Sequence, residues 1–164
     1  MAFSENSLEL AKEVIAACVA GGLRIAAAES CTGGLVMGCL TAIPGASNVV
    51  DRGFVAYANR AKAEMLGVEA ALIERSGAVS ESVARAMAEG ALNNSSADLS
   101  VAVTGIAGPG GGSAEKPVGL VHVAAARRGG ATLHQCCRFA GDRDEVRMQS
   151  VETALNLLKK LAAG

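Results

Sequence analysis

Three short apolar runs, residues 24–28, 49–58 and 99–104, are each separated from the next by segments whose apolar positions follow the helical period. That alternation constrains the fold more than any other feature, because strands joined through helices must run parallel and be covered on both faces. A helix precedes the first run, opening after Ser4, with Leu8, Ala11, Val14, Ile15 and Cys18 on one side, and stopping at Gly21-Gly22. Residues 30–42 read as the second helix, with Thr32-Gly33-Gly34 at its start. Residues 59–67, 69–75 and 80–93 follow as three more.

After a loop over 105–117 the pattern changes. Residues 118–127 and 131–139 are adjacent strand-like runs with Gly129-Gly130 between them, which reads as a hairpin and so introduces one antiparallel strand. Asp142 with Glu145 three residues on forms a capping box for the last helix, whose apolar side is Val151, Ala154, Leu155, Leu158 and Leu161. The expectation is an α/β chain with a mixed sheet between helical layers. At 164 residues no second domain is needed, and residues 1–164 are expected to form one.

Composition removes several function classes. Fifteen basic against sixteen acidic side chains, without long runs of one sign, leave no extended footprint for nucleic acid. The N-terminal Met1-Ala2-Phe3-Ser4-Glu5-Asn6 lacks the basic start of a signal peptide, and the long uncharged stretch 30–50 is broken by glycines and Pro44, so no membrane span is expected. The chain reads as soluble and cytoplasmic. Five cysteines without a CxxC pair, and only His122 and His134, supply neither a disulfide scaffold nor the ligands of a typical metal centre.

Ligands of such sheets bind at the carboxyl ends of the parallel strands. Three segments of unusual composition fall there. The first, Glu29-Ser30-Cys31-Thr32-Gly33-Gly34, joins a carboxylate, two hydroxyls and a thiol to a glycine-opened turn, whose free amides suit an anion or a developing oxyanion. Close packing of a capped helix explains the two glycines but not the four polar neighbours. The second holds Tyr57 and Lys62. A lone lysine amid Ala61, Ala63 and Met65 is ordinarily a surface side chain with a buried stem. Beside an exposed serine, a lysine of lowered pKa can take the hydroxyl proton without histidine, and histidine is scarce here. Tyr57 either packs as an amphipathic core residue or faces a cationic ring and relays a proton.

The third segment, 104–112, has glycine at Gly105, Gly108, Gly110, Gly111 and Gly112, so its backbone can curl around a phosphate or sugar, although it matches no P-loop. Arg143 and Arg147, at the start of the last helix, are forked donors for a phosphate or surface partners of nearby carboxylates.

Taken together these segments resemble the C-terminal domain of the competence/damage-inducible protein CinA and its stand-alone relatives, the nicotinamide-nucleotide amidohydrolases. The residues that carry the resemblance are Ala27 to Gly34, Gly53-Phe54-Val55-Ala56-Tyr57, Gly77-Ala78-Val79-Ser80, Thr104 to Pro109, Lys116-Pro117-Val118-Gly119 and Gly141-Asp142-Arg143. It implies a three-layer α/β/α sandwich with a five-stranded mixed sheet, and hydrolysis of nicotinamide mononucleotide to nicotinate mononucleotide and ammonia with no metal or cofactor. It also implies Ser30 as nucleophile, Lys62 as its base, Tyr57 in proton transfer, and Thr104, Gly105 and Arg143 as substrate contacts. Glu29, Cys31, Thr32, Gly33, Gly34, Gly108 and Arg147 complete the candidate substrate-binding set. The expected partners are the small pyridine nucleotide and further copies of the chain in a homo-oligomer, with neither nucleic acid nor membrane. Two alternatives stay open: attack by the Cys31 sulfur, and a non-catalytic nucleotide-binding module linked to competence or damage response.

Overall fold

The computed structural model describes residues 3–164; Met1 and Ala2, which begin the segment read above as no signal peptide, lie outside them. In chain order the elements are α1 (Glu5–Gly21), β1 (Ile25–Glu29), α2 (Leu35–Thr41), β2 (Val50–Val55), α3 (Asn59–Leu66), α4 (Ala70–Ser76), α5 (Glu81–Asn93), β3 (Leu99–Gly105), β4 (Leu120–Arg127), β5 (Leu133–Arg138) and α6 (Arg143–Ala163). The five strands form one sheet in the order β2-β1-β3-β4-β5. β1 is parallel to both β2 and β3, whereas β4 is antiparallel to β3 and to β5, so β4 is the one reversed strand. Helices α1, α2 and α6 cover one face and α3, α4 and α5 the other, the three-layer arrangement expected. No helix among the described residues is long and apolar enough to cross a membrane.

Successive residues of a strand point to opposite faces, which divides the core in two. Ala27, Val101, Val103, Val121 and Val123 pack with Val14, Val151, Leu155 and Leu158. Ala26, Ala28, Ala102, Ala124 and Ala126 pack with Val83, Ala84, Met87, Ala88 and Ala91. On this second side Gly90 of α5 lies so close to α3 that a Cβ there would run into the Leu66 carbonyl. α3 is thereby drawn down against the sheet, with Lys62 on its inner side.

Differences from expectation sit at element ends. The second helix begins at Leu35 and not at residue 30. Residues 30–34 instead make two successive turns, in which Gly33 N–H donates to Ser30 O at 3.0 Å and Leu35 N–H to Thr32 O at 3.1 Å. The reason is backbone conformation: Gly33 and Gly34 have φ of 58° and 104°, the left-handed region that a right-handed helix excludes. β2 ends at Val55, so Tyr57 lies in the loop before α3 rather than in the strand. The last two strands start two residues later than expected, at Leu120 and Leu133. The capping box is present as read, with both arms made between Asp142 and Glu145.

Candidate active site

β1 delivers Ser30 to the carboxyl edge of the sheet. The ladder with β3 continues one residue past the strand through Ser30 N–H to Val103 O at 3.0 Å, which fixes the serine backbone before the chain turns. Its side chain lies on the alanine-lined side, and there it meets Lys62. The Lys62 Nζ stands 3.1 Å from Ser30 Oγ, 3.1 Å from Ala56 O and 3.0 Å from Tyr57 O. Lys62 is 1% exposed and faces no carboxylate, so burial pushes its pKa down from the ordinary lysine value. A surface position for this lysine is thus excluded.

The arrangement has a definite consequence for proton transfer. A neutral amine has two N–H bonds and one lone pair. The Ala56 and Tyr57 carbonyls can only accept, so in the neutral state they take the two N–H groups and leave the lone pair for the Ser30 hydroxyl. The same geometry serves the ammonium form, with all three N–H groups donating.

Glu29 departs from its expected place as a substrate contact. It is 1% exposed, and its carboxylate accepts from Gly34 N–H and Val36 N–H at 3.0 Å each and from Met37 N–H at 2.9 Å. The amides at the opening of α2, expected to hold a ligand anion, are therefore occupied by the protein's own carboxylate. For the alternative of attack by the Cys31 sulfur, burial, first of all, pushes the thiol up to about 11, while its own amide, Arg147 and Arg143 pull the other way less strongly. A buried thiol of that pKa is a poor thiolate donor.

Arg147 does not face a ligand either. Its Nε donates to Cys31 O at 3.1 Å, its Nη2 to Thr32 O at 3.3 Å, and its Nη1 lies 3.8 Å from Asp144 Oδ1. The guanidinium thus braces the nucleophile turn across from α6; a Cβ on Gly33 would stand 3.6 Å from its Nη2, an ordinary contact, so it is the positive φ of 58° that calls for glycine there. Arg143 reaches the other way, from its Nη1 to Gly108 O at 2.8 Å and from its Nη2 to the Tyr57 hydroxyl at 3.3 Å. Arg143, Tyr57 and the glycine loop are so brought together at one rim. Tyr57 is 58% exposed there, and its recorded link to the lysine is through its backbone carbonyl.

Thr104 neighbours Ser30 on the same side of the sheet. It is 1% exposed and its hydroxyl donates to Ala78 O at 2.8 Å, tying down the segment before α5. Gly105 serves the sheet: a Cβ would stand 2.6 Å from Val121 Cγ2. Gly108 carries a positive φ of 85° in the loop above, where Ala107, Pro109, Val118, Gly141, Asp142, Arg143 and Asp144 line a cavity of about 440 Å³. His122 pairs in register with Thr104 and its Nδ1 lies 2.9 Å from His134 Nε2.

Sequence reasoning missed the carbonyl acceptors of Ala56 and Tyr57, since a main-chain oxygen has no residue type to signal it. It also missed that Arg147 holds carbonyls; residue type and a place at the start of the last helix put both arginines forward as forked donors and could not divide their tasks.

Fold and site together define a three-layer α/β/α domain with a serine–lysine pair at the carboxyl edge of a mixed sheet. The chain belongs to the CinA C-terminal domain family, whose sequence profile matches residues 7–162. It is 54% identical over 157 residues to a CinA-like protein of Anaeromyxobacter sp. (strain K), covering 96% of this chain and 38% of that protein. The chain thus spans well under half the length of such relatives. A relative of its own length is the nicotinamide-nucleotide amidohydrolase PncC of Enterobacter agglomerans, 50% identical over 157 residues that cover 93% of this chain and 96% of that one. Among solved structures, the competence/damage inducible protein CihA from Agrobacterium tumefaciens superposes with a TM-score of 0.96 at 52% identity, over 98% of each chain.

Proposed function

We propose that this chain is a nicotinamide-nucleotide amidohydrolase that converts nicotinamide mononucleotide to nicotinate mononucleotide and ammonia in pyridine nucleotide salvage. The observation that carries the reading is the buried Lys62 amine 3.1 Å from Ser30 Oγ, with two carbonyls directing it. The named activity of the Enterobacter agglomerans relative, similar over its whole length, supports the substrate.

The steps follow from the groups present. Neutral Lys62 takes the Ser30 hydroxyl proton as Oγ bonds to the carboxamide carbon, and the carbonyl π electrons move onto oxygen. The tetrahedral species collapses, the C–N bond breaks, and the Lys62 ammonium returns its proton to the departing nitrogen, which leaves as ammonia. Water then attacks the serine ester with Lys62 again as base. The C–Oγ bond breaks, Oγ regains the proton, and the carboxylic acid departs.

Arg143 is the phosphate contact in this reading, since its guanidinium lies at the exposed rim while Arg147 is committed to the turn. Tyr57 adjoins it and shapes the rim for the pyridinium ring.

Ammonia release across nicotinamide, its riboside, its mononucleotide and the dinucleotide tests the proposal. The mononucleotide is expected to give the highest kcat/KM, and Ser30→Ala to lower it by at least ~10³-fold. Undiminished turnover in Ser30→Ala sinks the nucleophile. Tight mononucleotide binding with no ammonia from the intact protein favours a binding module instead.

A further inference from the structure

The turn that carries Ser30 has its amides divided unevenly. Ser30 N–H is spent on Val103 O, Gly33 N–H on Ser30 O, and Leu35 N–H on Thr32 O. Gly34, Val36 and Met37 are spent on Glu29. Among the described residues this leaves the amides of Cys31 and Thr32, the two central residues of the Ser30–Gly33 turn, with no main-chain or side-chain acceptor on another residue; the Cys31 N–H has only its own thiol beside it, a weak acceptor that a developing oxyanion outcompetes.

Their direction is set from behind. In a trans peptide the C=O of one residue and the N–H of the next point opposite ways. Arg147 pulls on Cys31 O, so Thr32 N–H points away from the guanidinium; Gly33 holds Ser30 O, so Cys31 N–H points away from that bond. Thr32 O, drawn by both Arg147 and Leu35, fixes the next peptide, Thr32–Gly33, so the Cys31–Thr32 peptide is held on its far side as well as by its own carbonyl. The guanidinium is itself held beside Asp144 and is only 22% exposed. One further group in this turn lacks a partner: the Thr32 hydroxyl, at 0% exposure, has no hydrogen bond.

The geometry points to Arg147 as a positioning residue that aims the Cys31 and Thr32 amides at the oxygen of the tetrahedral intermediate, an inference that rests on the amidohydrolase reading. The oxyanion site is then the turn beside the nucleophile, and the opening of α2 is excluded because Glu29 fills it. A negative charge developing on the carbonyl oxygen is met by two fixed N–H dipoles that need no reorganisation. Arg147 never touches substrate and acts through two carbonyls.

A phosphate contact and a positioning residue differ in what they change. For Arg147→Met, kcat is expected to fall by about 10²-fold on both nicotinamide mononucleotide and nicotinamide riboside, with KM within about threefold, since oriented oxyanion donors act on the transition state. Arg147→Lys, which can reach one carbonyl, should lie between. Guanidinium ion added to Arg147→Ala should restore part of kcat.

A rise in KM for the mononucleotide alone, with kcat kept, overturns the inference and makes Arg147 a phosphate contact; unchanged kcat on both substrates overturns it too. Thermal melts identify any variant that fails to fold, and Arg147→Lys with the guanidinium rescue then decides. If Ser30→Ala stays active, the amidohydrolase reading itself has failed. If Ser30→Ala is inert while the Arg147 variants match the parent protein, only the positioning role has.

Discussion

Toward α1 and α6, β3 and β4 present Val101, Val103, Val121 and Val123, while toward α5 the alternate positions are Ala102, Ala124 and Ala126. Branched side chains on the first face keep its helices at a distance and fill the gap with Val151, Leu155 and Leu158. Alanines on the second let α5 and α3 approach closely, Gly90 of α5 nearly touching the Leu66 carbonyl. What the difference teaches is where a buried amine can be tolerated. On the close-packed face the backbone itself comes within reach, so the Ala56 and Tyr57 carbonyls satisfy Lys62 without any carboxylate. A carboxylate partner would hold the lysine protonated; two neutral carbonyls do not.

Breaking the comparison at its centre gives the largest effect. Lys62→Met is expected to lower kcat/KM by at least ~10³-fold, as for loss of either partner in a nucleophile–base pair. The parent protein should show kcat/KM rising with pH through a midpoint below the ordinary lysine value, and the variant should lose that limb. Stability should follow the same group. The folded-state pKa of Lys62 is depressed, so between it and the ordinary value the unfolded chain binds more protons. Unfolding free energy therefore rises with pH across that window, and chemical denaturation of Lys62→Met should show a weaker rise there.

Substitutions at two helical glycines then sharpen the contrast between faces. Gly90→Ala gains about 1 kcal/mol of helix propensity and loses more to the Leu66 carbonyl, for a net destabilisation of roughly 1–3 kcal/mol and a displaced α3. Activity should fall with it. Gly38→Ala on the other side meets the Phe3 ring at 3.4 Å, an ordinary contact, and should leave stability unchanged or raised by up to about 1 kcal/mol. Thermal melts of both decide. Equal losses at the two glycines would mean that both faces are packed alike.

The smallest effect belongs to Cys31→Ala. Its thiol sits high and buried, so ammonia release should stay within about threefold of the parent protein, the cost being some packing in the turn. Loss of activity comparable to Ser30→Ala would return the sulfur to contention.

Much of the fold was legible because period and punctuation agree: helical segments between the first three strands, and Gly129-Gly130 between the last two. The start of α2 was not, since Thr32-Gly33-Gly34 suits a helix N-terminus as composition and becomes a double turn only through two positive φ angles. Within the site, Ser30 and Lys62 were legible as types that need one another. Glu29 and Arg147 were placed near the site as ligand contacts, whereas each spends its polarity on main-chain groups of the turn. Choosing between a ligand and a peptide group as partner requires the packing of α2 and α6, which no local pattern carries.

The single reversed strand has a further consequence. Because β4 runs against β3, the segment after Gly105 begins and ends at the same edge of the sheet, pinned by Ile106 N–H to Leu120 O and Gly119 N–H to Ile106 O at 2.9 and 2.8 Å. Residues between those clasps can lengthen, shorten or change composition without shifting any strand register. The loop is thus a detachable part: descendants of this chain, or an engineer, can exchange it to reshape the rim at Arg143 while the serine, the lysine and the sheet beneath them stay where they are.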